Sequence, residues 1–124
     1  MNVAAWVLQV LLCVFFVYHA YLMLWPNRER LVQQGMSYVV EMASGLRVFA
    51  AVAEGLAGLG VLLPWLTGVL PWLTPVAAAG LVLIMVGAIV LHIPRGEYPN
   101  IGLNLVLLVM AAVVAYVRWP AFGM

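Results

Sequence analysis

The side chains of this sequence that could do chemistry stand inside long apolar runs. Arg47 and Glu54 lie seven residues apart in one such run, although only 7% of the chain is charged. Other apolar runs carry His19, His92 and Asn104. An arginine or an acidic residue at the centre of a membrane helix costs on the order of 3 kcal/mol, so such residues usually have a partner and a role.

These residue types favour ligand binding and proton handling over covalent catalysis. Imidazole and guanidinium groups donate hydrogen bonds to carbonyl oxygens, and an amide can orient a polar head group. Cys13 is the only cysteine, which excludes an intramolecular disulfide and CxxC redox chemistry. Two histidines on separate helices are a known haem or metal arrangement, but no spacing motif accompanies them here. We therefore expect no haem, no metal site and no catalytic residue.

The composition places the chain in the class of integral membrane proteins. Of its 124 residues 68% are hydrophobic, and the mean hydropathy is +1.17. A soluble domain of this size has too little interior for so much apolar surface, so we predict one helical membrane domain over residues 1–124. A net charge of +1 gives no sign of a nucleic-acid partner. The N-terminus lacks a basic region and a cleavage site, so the first run is expected to be a retained span.

Four apolar runs reach the roughly 20 residues that cross a bilayer. They cover about 3–25, 46–63, 75–93 and 99–118, and prolines stand at or near their ends. The fold class is therefore predicted to be all-α, a four-helix transmembrane bundle. Residues 28–43 mix apolar and polar side chains, which indicates a short interfacial amphipathic segment between helices 1 and 2, broken near Gly35. The second and third spans are joined by the segment PWLTGVLPWLTP, which is predicted to form a tight turn.

The arginines predict an orientation. Arg28, Arg30, Arg47 and Arg95 fall on the side of the first and third connections, whereas Arg118 falls on the other side. By the positive-inside rule those two connections are cytoplasmic and both termini are outside. The predicted location is the inner membrane of a prokaryotic cell.

The polar residues are predicted to share one half of the membrane. Because successive spans alternate in direction, the ends of spans one and three lie at the depth where spans two and four begin. Glu54 lies about 10 Å deeper than Arg47, too far for direct contact without a bridging group from another helix. The other half carries almost no polar side chain apart from Gln9. The predicted ligand-binding cluster therefore comprises Tyr18, His19, Arg47, Glu54, His92 and Asn104.

Each of these residues also has a structural interpretation. Arg47 can extend to the interface, and His92 can cap the end of its helix. Glu54 and Asn104 can hold helices together through hydrogen bonds, and His19 can contact a lipid head group or another helix of the bundle. Arg95 and Glu97 are expected to form a solvated pair in the connecting loop.

Several segments resemble the DoxX-like family of small four-helix membrane proteins. They are LWPNRERL, LRVFAAVAEGLAGLGVLLP, TGVLPWLTPVAAAGL and GAIVLHIPRGEYPNIGLNLVLL, and together they cover nearly the whole chain. The family is similar to membrane subunits of thiosulfate:quinone oxidoreductase, to proteins of redox or sulfur stress complexes, and to four-helix proteins with sterol-ligand or receptor-chaperone roles. The paired cysteines of the redox-maturation relatives are not matched.

The leading hypothesis is a protein that binds a small amphipathic molecule such as a quinone, as accessory subunit of a membrane oxidoreductase. His92 or Arg47 would donate to a quinone carbonyl, Glu54 would stabilise Arg47 or relay a proton, and Asn104 would orient the head group. The alternatives are a non-enzymatic scaffold or assembly factor and a subunit of a small-solute transporter. The expected partners are the lipid bilayer and either a second copy of the chain or an oxidoreductase. No redox centre is visible in the sequence, so a stand-alone enzyme is not expected.

Overall fold

The computed structural model describes residues 3–25, 28–36, 38–39 and 42–123, and these contain helices, turns and no strand. Four helices are long and apolar enough to cross a membrane, which confirms the predicted all-α fold with four spans. Pro26, predicted to end the first span, lies outside the described residues. The helices are α1 Val3–Leu24, α2 Arg28–Gln33, α3 Ser44–Gly60, α4 Leu63–Thr67, α5 Leu73–His92 and α6 Tyr98–Arg118, followed by a 3-10 turn Trp119–Gly123.

The connection between the second and third spans is more helical than predicted. Pro64 stands in the first turn of α4, where a missing N–H costs nothing and the fixed backbone angle favours a helix. Gly68 ends α4 in the left-handed conformation, with φ of 75°, and its N–H donates to the Pro64 carbonyl. The first PWLT motif is therefore a short helix that continues the second span, and only the residues after it form the turn.

The four long helices pack as two pairs. α1 makes its main contacts with α3, and α5 makes its main contacts with α6. Gly58 of α3 allows α1 and α3 to approach each other closely. A side chain at this position would crowd α1, because its Cβ atom would lie only 3.1 Å from the Cβ of Phe16. The core between the pairs is formed by buried apolar side chains such as Leu12, Leu81 and Leu107.

The described residues between α1 and α3 fold back over one end of the bundle, here called the α2 end. Gly35 turns the chain after α2 with φ of 74°. Leu31 and Val39 are then fully buried in a small core with Met23 of α1. The amide of Asn100, in the first turn of α6, donates to the Gly35 carbonyl across 3.1 Å. The predicted break near Gly35 is present, and the segment covers the helix ends.

The opposite end of the bundle, called the α4 end, is closed by a buried polar cluster. Gln9 donates to the Val61 carbonyl across 2.9 Å and accepts from Arg118 Nε across 3.0 Å. The Arg118 guanidinium carbon lies 4.2 Å from the ring centroid of Trp65, a cation–π contact. Arg118, the arginine predicted to lie on the side opposite to the others, is buried, with only 7% of it exposed. Gln9 thus joins the pair of α1 and α3 to the pair of α5 and α6 at the α4 end.

Candidate ligand-binding site

A cavity of about 600 Å³ lies towards the α2 end of the bundle. All four long helices and the segment around Tyr38 contribute to its wall. Most of that wall is apolar. Its polar side chains are Tyr18, His19, Gln34, Tyr38, Glu54, His92, Asn100 and Asn104. A few convergent polar groups in an otherwise apolar cavity are the usual composition of a small-molecule site.

His19 of α1 and Glu54 of α3 form the first polar pair of this wall. His19 Nδ1 lies 2.9 Å from Glu54 Oε1, and the side chains are 15% and 7% exposed. The ring nitrogen and the carboxylate are close but not aligned as a hydrogen bond, since Nδ1 has no hydrogen-bond partner among the described residues. Phe15 stacks on the imidazole with 5.8 Å between ring centroids. The pair is therefore largely buried and packs against an aromatic ring.

Tyr38 connects this pair with the second histidine. Its hydroxyl lies 3.0 Å from His19 Nε2, and its ring meets the His92 ring edge-on with 4.5 Å between centroids. Burial, and then the nearby carboxylates of Glu54 and Glu97, raise the pKa of Tyr38 above its ordinary value. Tyr38 is consequently a neutral hydroxyl group that can both donate and accept.

His92 and Glu97 form the second polar pair. The buried His92 has its Nδ1 2.8 Å from Glu97 Oε1, and Arg95 Nε donates to the same oxygen across 2.8 Å. Burial alone would raise the pKa of Glu97, but the hydrogen bonds from His92 and Arg95 outweigh it and lower the pKa. The carboxylate form therefore holds Nδ1 as the donor, which makes Nε2 the acceptor nitrogen of neutral His92. The predicted pair of Arg95 and Glu97 is present and also orients a buried histidine.

Asn104 and Tyr18 complete the set of predicted residues that line the cavity. Asn104 is 8% exposed, and its Nδ2 finds no hydrogen-bond partner among the described residues. A buried donor without an acceptor is costly, so it marks a position where a further group is expected to bind. Tyr18 is half exposed and lies at the edge of the cavity.

Arg47 is the one predicted site residue that does not line the cavity. Its Nη1 donates to the carbonyl of Met23 and, across 3.5 Å, to that of Leu24, at the end of α1. The last carbonyls of a helix have no partner within it and carry the negative end of its dipole, so a cation is stabilised there. Arg47 thus contacts the end of α1, whereas the carboxylate of Glu54 lies 2.9 Å from the imidazole of His19.

Tyr38 and Glu97 take part in these polar contacts but are not among the predicted site residues. Tyr38 belongs to the 28–43 segment, which is predicted to be amphipathic, and Glu97 belongs to the predicted loop pair with Arg95. The one available signal for Glu97 is its position five residues after His92, next to a turn. Tyr38 carries no such signal, because its place depends on how the segment folds back.

Metal binding has no support in the geometry of the residues that the structure describes. Among them, no three histidine, cysteine or acidic side chains lie close enough together to hold an ion. The two histidines of the cavity wall are instead paired with carboxylates and bracket a tyrosine.

These features define a small four-helix membrane protein with a mainly apolar cavity and a polar wall. The family model described as the DoxX-like family matches residues 7–114, so the chain belongs to that family. No curated protein matches the chain, and no solved structure matches it.

Proposed function

We propose that this protein binds a small amphipathic molecule of the quinone class in the cavity, as accessory subunit of a membrane oxidoreductase. The observation that carries the proposal is the buried Asn104 amide, which has no hydrogen-bond partner among the described residues and lines a largely apolar cavity. A quinone oxygen supplies the missing acceptor, and its ring and tail are compatible with the apolar wall. A volume of about 600 Å³ lies within the range of small-molecule sites, roughly 300–1,000 Å³.

The role of accessory subunit is supported by family membership and by the sequence. The DoxX-like family resembles membrane subunits of quinone-linked oxidoreductases, and this chain has a single cysteine. In the proposal the electrons are therefore handled by a partner protein, while this chain holds the ligand. The inner membrane of a prokaryotic cell, with the α2 end cytoplasmic, is part of the same proposal.

A scaffold or assembly factor is the second candidate. It is favoured by polar contacts that join helices without any ligand, namely the contact of Gln9 with Arg118 and that of Arg47 with the end of α1. In that case the cavity would be a by-product of the packing, and its polar groups would only fix the arrangement of the helices.

Ligand binding is tested with the purified protein in mild detergent. Extracted protein is examined for quinones by mass spectrometry, and a short-chain ubiquinone analogue is added in a thermal unfolding assay. A ligand that binds only the native state stabilises it by RT ln(1 + [L]/Kd), so the unfolding temperature rises with the ligand concentration. We expect this increase for the wild type and a much smaller one for Asn104→Leu.

The Asn104→Leu variant also separates the two candidates. Replacing a buried donor that lacks a partner with an apolar side chain of similar size is neutral or stabilising for the ligand-free protein. A reduced ligand response in a variant of unreduced stability therefore points to binding. Gln33→Leu, at an exposed position of α2, is the matched control. No co-purified quinone together with no thermal response at saturating analogue would overturn the proposal.

A further inference from the structure

We infer that the cavity opens sideways into the bilayer between α3 and α5, and that its ligand is a membrane-dissolved lipid whose long apolar tail leaves through this opening. The inference rests on the proposed function and specifies the route by which the ligand reaches the cavity and the part of it that stays outside. It follows from the packing of the helices and from the side chains that line both the cavity and the surface.

The packing of the helices leaves two interfaces where a lateral opening can lie. α1 with α3 and α5 with α6 are the closely packed pairs, whereas α3 with α5 and α1 with α6 make fewer contacts. The α2 end is covered by the described residues between α1 and α3, and the α4 end is closed by the contact of Gln9 with Arg118. A route from the bilayer therefore leads through one of the two less closely packed interfaces.

The interface of α3 with α5 is closed at the α4 end and loosens towards the α2 end. A Cβ atom at Gly60 of α3 would lie 3.0 Å from the Cβ of Ala77, so the two helices touch there. Gly87 of α5 lies ten residues after Ala77, about 15 Å further along the helix, and a Cβ at Gly87 meets no described atom within 4 Å. Ala53 and Ala88, which also line the cavity, have short side chains that fill little of this space.

Side chains that line the cavity and are also exposed mark its mouth. Four such residues belong to α3 and α5, namely Leu46, Phe49, Gly87 and Val90. Phe49 is 72% exposed and Val90 is 64% exposed. None of the four has a polar side chain, and all lie in helices that are long and apolar enough to cross the membrane. This mouth therefore faces lipid chains and not water.

The other exposed residues of the described cavity wall have a different character. They are Tyr18 of α1, Gln34 after α2 and Leu103 of α6. Two of these three are polar, and an apolar chain lying over their hydroxyl and amide groups would remove them from water at a cost. We therefore assign the tail to the interface of α3 with α5 and not to that of α1 with α6.

A lateral mouth changes which ligands the cavity admits. A closed cavity of about 600 Å³ accepts a compact molecule and excludes a longer one. If the mouth opens into the bilayer, only the polar head group and the start of the tail enter the protein, and the rest of the tail stays in lipid. Because lipid chains are as apolar as the side chains of the mouth, extending the tail gains and loses little. The affinity should then be almost independent of tail length.

Tail length is tested with benzoquinones that carry one, four or eight prenyl units. They are bound to the full wild-type chain in lipid nanodiscs, by competition with a radiolabelled one-unit quinone, and concentrations are expressed per lipid. We expect affinities that agree within about threefold. Binding of the eight-unit quinone at least roughly tenfold weaker than that of the one-unit quinone indicates a closed cavity. That result would overturn the inference and leave the proposed function in place, whereas no binding of any of the three overturns both.

The variant Gly87→Phe is designed to fill the mouth. It should weaken the eight-unit quinone several-fold and leave the one-unit quinone, which fits inside the cavity, nearly unchanged. Gly102→Phe is the matched control, because Gly102 is exposed, does not line the cavity, and has no described atom within 4 Å of a Cβ at this position. It should change neither affinity. Equal losses for both quinones in Gly87→Phe would contradict a mouth at this position.

A photoreactive tail then locates the exit without any variant. A diazirine on the second prenyl unit of the four-unit quinone is activated in the nanodisc complex, and the labelled residues are identified by mass spectrometry. We expect labels on Phe49 and Val90. Labels confined to Tyr18 and Leu103 would place the tail between α1 and α6 and overturn the inference.

Discussion

His19 and Glu54 meet across the interface of α1 and α3, with 2.9 Å between the ring nitrogen Nδ1 and the carboxylate oxygen Oε1. Removing one partner leaves the other buried without compensation, which is more costly than removing both. His19→Leu should lower the free energy of unfolding by about 1–3 kcal/mol. The double variant His19→Leu with Glu54→Leu should recover part of this loss.

A double-mutant cycle in detergent measures the coupling between these two residues. For groups in direct contact, coupling energies of roughly 0.5–3 kcal/mol are typical. Strict additivity of the two single substitutions would contradict a direct interaction of His19 with Glu54. Glu29→Leu is the control for loss of an exposed carboxylate.

Gln9 is expected to be the most sensitive polar position at the α4 end. Gln9→Leu keeps the volume of the side chain but removes the acceptor of Arg118 Nε and the donor to the Val61 carbonyl. Since hydrogen bonds to charged groups contribute about 1.5–3 kcal/mol, we expect a destabilisation of at least about 2 kcal/mol. Thermal or denaturant unfolding checks this, with Gln33→Leu as the exposed control. Equal stability of the two variants would show that the buried cluster contributes nothing.

The four long helices could be predicted from the sequence because their determinants are local. The length of each apolar run fixes how far a helix extends, and prolines such as Pro64 mark where it is interrupted. The same counting predicts that His19, His92 and Asn104 lie at one depth, and all three line the cavity.

The partners of the polar residues could not be predicted in the same way. A guanidinium group reaches several neighbours, so spacing did not reveal that Arg47 contacts the end of α1 and not Glu54. Gln9 and Arg118 are 109 residues apart, and their contact depends on how α1 and α6 pack. The position of Tyr38 depends on the fold of the preceding turn, which no periodicity specifies.

The low pKa of Glu97 predicts a pH dependence of stability. Hydrogen bonds from His92 and Arg95 stabilise the carboxylate in the folded state, so its pKa lies below the unfolded value of about 4.3. The resulting stabilisation is present above that unfolded value and is lost as the pH falls through the folded pKa. Glu97→Gln should therefore be less stable than the wild type at pH 6–7, and the difference should shrink as the pH falls below the unfolded pKa of about 4.3.

This pH dependence is measured by thermal unfolding of both proteins over the acidic range in the same detergent. Glu29→Gln, whose side chain is exposed, should follow the wild type at every pH. A difference between Glu97→Gln and the wild type that is independent of pH would mean that Glu97 acts through packing and not through its charge.

Gly58 and Gly80 are predicted to respond in opposite directions to the same substitution. A Cβ at Gly58 would lie 3.1 Å from Phe16 Cβ and 3.5 Å from the Cys13 carbonyl, whereas a Cβ at Gly80 meets nothing within 4 Å. Gly58→Ala therefore forces α1 and α3 apart by a few tenths of an ångström, and overpacking of this kind typically costs about 1 kcal/mol or more. Gly80→Ala adds helix propensity without a clash and should stabilise α5 by up to about 1 kcal/mol. Unfolding temperatures of the two variants, measured side by side, should lie on either side of the wild type; a higher value for Gly58→Ala would contradict close packing of α1 on α3.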